Sequence, residues 1–137
     1  LWHLGLHRSP QPRPQTFPAD RQGRAIRVVR LDPSEQSLEF DLAFDRFLEA
    51  ISAAGAYVEG DGSFVWRMGK GPTAPFFEGN AFDGKQGLRY VELKGHGPRE
   101  SFEQFFRTVG WPTTQILVQS VPEGLMVPAS EFLDWLE

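Results

Sequence analysis

Two stretches of this chain carry phenylalanine at helical spacing, and they limit its folds more than any other feature. Phe40, Phe44, Phe47, Leu48 and Ile51 fall on one stripe of a helix, with Asp41, Asp45, Glu49 and Ser52 away from it. Phe102, Phe105, Phe106 and Val109 repeat the pattern. A helix with one apolar stripe must bury it against another element. The sequence between and around these helices is strand-like, so the partner is a sheet covered on one face. Its opposite face is then left to solvent or to a partner.

Boundary signals agree with two helices. Asp32 can cap the first, Pro33 suits its first helical position, and Glu35 stands three residues after the cap, where it can reach back to the cap amide. Gly55 closes that helix. Gly97-Pro98-Arg99-Glu100 opens the second helix and Gly110 ends it. Strands are expected at Ala25 to Leu31, at Tyr57 to Met68 with Gly60-Asp61-Gly62 as a hairpin turn, at Leu88 to Lys94 and at Gln115 to Val121. Leu125 to Val127 reads as a further strand and Glu131 to Leu136 as a short terminal helix. Residues 69–87, rich in Gly and Pro but with Phe76, Phe77, Asn80 and Phe82, read as a long aromatic loop.

The resulting β-α-β-β-α-β order resembles the split β-α-β arrangement of ferredoxin-like domains. The expected class is therefore α+β, with two helices packed on one sheet face and a short C-terminal extension. With 137 residues, 40% of them apolar, one domain spanning 25–137 is expected. Residues 1–24 hold four of the eleven prolines and little apolar periodicity. They read as a disordered Pro/Arg-rich tail.

Composition removes several function classes. The absence of Cys excludes disulfides, thiolate metal sites and a Cys nucleophile. The net charge of -4 is uneven. Residues 1–24 carry four Arg against one Asp, a balance of +3, and the remainder carries ten Lys or Arg against seventeen Asp or Glu, a balance of -7. A surface that holds nucleic acid by its phosphates needs clustered cations, which argues against nucleic-acid binding by the acidic core. No apolar run approaches the roughly 18 to 20 residues of a membrane span, and no secretory signal pattern is seen, so a soluble cytoplasmic protein is expected.

Functional candidates centre on Gln86 to Lys94. Strand alternation places Arg89, Val91 and Leu93 on one side and Leu88, Tyr90, Glu92 and Lys94 on the other. Ile26 to Leu31 together with Gly87-Leu88-Arg89-Tyr90-Val91-Glu92-Leu93 resembles the two strand motifs of the RNA-recognition-motif family, which implies base stacking on sheet aromatics. Arg27 and Leu88 stand where that family has aromatics, and only Tyr90 keeps one. Asp61, Glu92 and Lys94 resemble the PD-(D/E)xK pattern of metal-dependent nucleases, which implies Mg²⁺ held by carboxylates and a Lys that positions the attacking water. No proline precedes Asp61.

The reading with the fewest special claims is a non-catalytic interaction domain without a cofactor or metal. Arg27, Tyr90, Glu92 and Lys94, joined by Phe77 and Asn80 of the 69–87 loop, would meet a protein partner or a second copy. An equally simple account makes the same residues a solvated strand face. His96 beside the second helix reads as a loop residue with a local hydrogen bond. Glu78, Asn80 and Asp83 match no cation-loop spacing. No Ser-His-Asp order, phosphate-cradling glycine loop or His-containing metal motif is found.

Overall fold

The computed structural model describes residues 1–136. Its elements run β1 (Trp2–Arg8), β2 (Thr16–Arg21), β3 (Arg24–Val29), α1 (Pro33–Gln36), α2 (Phe44–Ala53), β4 (Tyr57–Val58), β5 (Ser63–Arg67), β6 (Phe76–Asp83), β7 (Leu88–His96), α3 (Arg99–Arg107), β8 (Ile116–Ser120), β9 (Leu125–Pro128) and α4 (Ala129–Asp134). Seven strands form one sheet in the order β4-β5-β6-β7-β1-β8-β9, every neighbouring pair antiparallel, while β2 and β3 form a separate hairpin. Because β7 and β8 each run antiparallel to β1 between them, they are parallel to each other, and α3 makes the crossover. Among the described residues, no helix is long and apolar enough to cross a membrane.

The α+β class and the two Phe-striped helices stand as expected. Phe47, Leu48 and Ile51 of α2 and Phe102, Phe105 and Phe106 of α3 are buried against the inward residues of the sheet. Phe105 is the hub of this layer. Its ring centroid lies 5.4 Å from Phe77, 5.7 Å from Phe64 and Trp66 and 6.3 Å from Phe47. Side chains of this size each contribute roughly 1.5–3 kcal/mol by leaving water.

The ferredoxin-like βαββαβ order is not what forms. The strand read at Ala25 to Leu31 pairs with Thr16–Arg21 as a hairpin apart from the main sheet, and its Ile26 and Val28 are buried in the common core. Residues 1–24, expected as a disordered tail outside a 25–137 domain, supply β1 and β2. The physical reason is the alternation His3-Leu4-Gly5-Leu6-His7. Leu4 and Leu6 are fully buried on the helix side of the sheet, and the intervening residues face away. β1 can therefore sit centrally between β7 and β8. The hairpin is pinned back by Arg21, whose guanidinium lies 4.4 Å from the Trp135 ring and 5.2 Å from that of Trp2 and pairs with Glu123 at 2.9 Å.

The long helix expected from Asp32 is also interrupted. Its start forms as read, with Asp32 accepting the Glu35 N–H and Glu35 accepting the Asp32 N–H in a capping box. The chain then leaves the helix because residues 39–42 bond to β7 and its preceding turn. Phe40 N–H donates to Leu88 O at 2.8 Å, and Leu88 N–H donates to Leu42 O at 2.7 Å. Glu39 accepts backbone N–H bonds from Lys85, Gln86 and Gly87 at 3.0, 2.7 and 2.6 Å. A new helix starts at Phe44.

The middle of the expected 69–87 loop is strand β6, eight residues long. Its Phe77 and Ala81 point into the core and its Glu78, Asn80 and Phe82 point away. The hairpin turn at 60–62 is as expected. Gly62 there has φ +101°, and a Cβ on it would stand 2.2 Å from the Ala81 carbonyl oxygen, so a larger residue has no room.

Candidate functional site

The side of the sheet opposite α2 and α3 carries the polar residues that alternate with the core, and strand register arranges them in rows. One row reads Tyr57, Val65, Glu78, Lys94 and His3 across β4, β5, β6, β7 and β1. The next reads Ser63, Asn80, Glu92, Gly5 and Gln119 across β5, β6, β7, β1 and β8. A shallow cavity of about 320 Å³ lies over β5, β6 and β7, lined by Ser63, Val65, Glu78, Asn80, Glu92 and Lys94. Four expected residues thus share this face or its rim: Asn80, Tyr90, Glu92 and Lys94.

The remaining sequence candidates lie elsewhere. Phe77 is fully buried, its ring edge-on to Phe102 at 5.0 Å, so it is a core residue and not a contact for a partner. Arg27 belongs to β3, where its side chain donates two hydrogen bonds to Thr16 Oγ1, at 3.0 and 2.8 Å. Asp61 lies in the β4–β5 turn, where its carboxylate accepts from the Ser63 N–H at 3.0 Å and the Ser63 hydroxyl at 2.7 Å. Those two bonds hold its carboxyl below the usual range. Ser63 is itself two strand spacings, about 10 Å, from Glu92. Glu92 and Lys94 share the outer face as the spacing required. Among the described residues, no group of three or more His, Asp or Glu is gathered for a metal ion. His96 is exposed at the end of β7, and Asp83 ends β6 beyond Glu78 and Asn80.

A β-bulge corrects the expected alternation of β7. Phe82 pairs with Tyr90 but Asp83 pairs with Leu88, so Arg89 is the extra residue. Leu88 consequently turns into the core at 0% exposure, Arg89 is exposed, and Tyr90 stands on the outer face. The Tyr90 ring is stacked on both sides, by Phe82 at 4.7 Å and 5° and by His7 at 5.2 Å and 10°. Both of its π-faces are therefore filled from within the protein. Partial burial and the nearby Glu92 carboxylate raise its phenol above the ordinary range.

His3, His7 and Gln119 are not among the sequence candidates; the two His lie in a stretch that reads as a tail, and Gln119 lies in the expected strand Gln115 to Val121 with nothing local to single it out. The signal was present in the two-residue alternation of His3, Gly5 and His7 against Leu4 and Leu6. His3 Nε2 lies 3.5 Å from Glu92 Oε1, and His7 Nε2 lies 3.0 Å from Gln119 Oε1. Burial lowers the His7 pKa, an effect opposed in part by the Gln119 bond, so its ring is held neutral. Comparison with protein-family models, curated proteins and solved structures finds no match to this chain.

Proposed function

We propose that this chain is a non-catalytic interaction module that docks a protein partner on its outer sheet face. One observation carries the reading. The side opposite α2 and α3 presents, on adjoining strands, exposed or half-exposed Tyr57, Val65, Phe82 and Tyr90 beside Glu78, Asn80, Glu92 and Lys94. Tyr57 is 64% exposed and Val65 41%, and they are cross-strand neighbours. Aromatic and apolar anchors set among charges of both signs are the composition of a protein interface, where a few central side chains supply most of the affinity and the polar rim sets register. The mixed signs suit a protein surface better than a polyanion.

The test is site-specific photocrosslinking in cells. A benzophenone side chain at Val65 reports the outer face, and one at Arg46, which is 75% exposed on α2, reports the helix side. The expected result is a discrete protein adduct from Val65 that is absent from Arg46 and lost in Lys94→Glu. An adduct of twice the chain mass would identify the partner as a second copy. No adduct from Val65, or Mg²⁺-dependent cleavage of DNA that Glu92→Gln abolishes, would overturn the reading.

A further inference from the structure

A second cavity, away from the 320 Å³ recess, has a different chemistry. It encloses about 350 Å³ where the chain before β2 meets the starts of β8 and α4. Its floor is apolar: Val29, Ile116 and Leu117 line it and are each no more than 4% exposed. Half-buried Trp111 lines it too, its ring held edge-on by Phe106 at 6.2 Å. Such a volume falls within the range of small-ligand sites, roughly 300–1,000 Å³.

The polar part of the cavity is one-sided. Arg13 lines it, is exposed, and makes no hydrogen bond, ion pair or ring contact among the described residues. Thr16, also in the lining, accepts two hydrogen bonds from Arg27, whose backbone N–H donates to the Glu131 carboxylate at 2.6 Å, so one guanidinium and one carboxylate lie just outside the lining and Arg13 supplies the charge at the cavity itself. No Asp or Glu lines it. In a chain with 18 acidic residues this is selective, because four other surface cavities each carry a carboxylate: Glu78 and Glu92, Glu123, Glu39 with Asp41, and Glu39 with Asp83. An apolar floor beside an unpaired guanidinium matches a ligand with a hydrocarbon body and one anionic end, and the planar fork of Arg fits a carboxylate through two parallel hydrogen bonds.

We infer that this cavity binds a small apolar carboxylic acid, whose aromatic or branched body lies on Val29, Leu117 and Trp111 and whose carboxylate meets Arg13. Hydrocinnamate is the probe, titrated into the full chain and followed by heteronuclear NMR, with its uncharged amide as control. The expected result is saturable shifts at the Trp111 indole N–H and at the Val29 and Leu117 amides, with the acid binding at least about tenfold tighter than the amide. Arg13→Gln, an exposed substitution that leaves the spectrum folded, removes that preference, and Arg13→Lys restores part of it. Shifts absent from these three residues, equal binding of acid and amide, or a preference that survives Arg13→Gln would each overturn the assignment.

Discussion

At Glu39 one half-buried side chain stands in for a stretch of backbone pairing. Its carboxylate gathers the N–H groups of Lys85, Gln86 and Gly87, and those bonds, Gln86 first and Gly87 next, hold its pKa below the ordinary 4.5. A group whose folded pKa is depressed contributes stability that is present above the unfolded value and lost as pH falls through the folded one. Glu39→Gln is therefore expected to lower Tm at neutral pH and to flatten the decline in Tm below about pH 4.5, measured by thermal melts across that range. His7 acts at higher pH. Burial lowers its pKa from 6.5, so the unfolded chain takes up a proton before the folded one does, and stability falls as pH drops below about 6.5. In urea unfolding at a series of pH values, His7→Phe is expected to remove that part of the slope. Neither residue announced itself in the sequence, because what matters is a partner 46 to 48 positions away for Glu39 and 112 positions away for His7.

At the scale of elements, local signals were legible wherever a few neighbouring residues decide the outcome. The Asp32 cap, the 60–62 turn, the Gly55 and Gly110 stops and the stripes of α2 and α3 all follow from chemistry within about one turn. Elements whose existence depends on a distant partner were not. β1 carries only seven residues, yet it holds an interior place in the sheet because β7 and β8 offer it hydrogen bonds on both edges. The stretch between α1 and α2 could have stayed helical by its apolar spacing, but pairing with Leu88 was stronger. Deleting residues 1–8 is accordingly expected to abolish cooperative unfolding and NMR dispersion. A tail in the same position would leave both unchanged.

For the whole molecule, the asymmetry between the two sheet faces governs both stability and recognition. Phe105 touches four aromatic neighbours at the centre of the helix-covered face, so Phe105→Ala is expected to cost about 3–5 kcal/mol by denaturant unfolding. Val65→Lys on the other face is expected to stay within about 0.5 kcal/mol, because it removes no core contact. The candidate face was half legible in the sequence. Tyr90, Glu92 and Lys94 follow from alternation, and Asn80, which reads as a loop residue, reaches the face through β6; Arg27, expected on the face, belongs to a separate hairpin, and Phe77, expected on the loop, belongs to the core. By itself, the sequence determined that this chain is α+β, that two Phe-striped helices cover one side of a sheet, and where both of them end, because periodicity and capping act over a few residues. Only the tertiary structure decided that residues 2–8 are an interior strand between β7 and β8, that Arg89 is a bulge, and that His3, His7 and Gln119 join Glu92 and Tyr90. Strand order and register are set by which edges find unpaired N–H and C=O groups across the whole chain, and no local pattern contains that information.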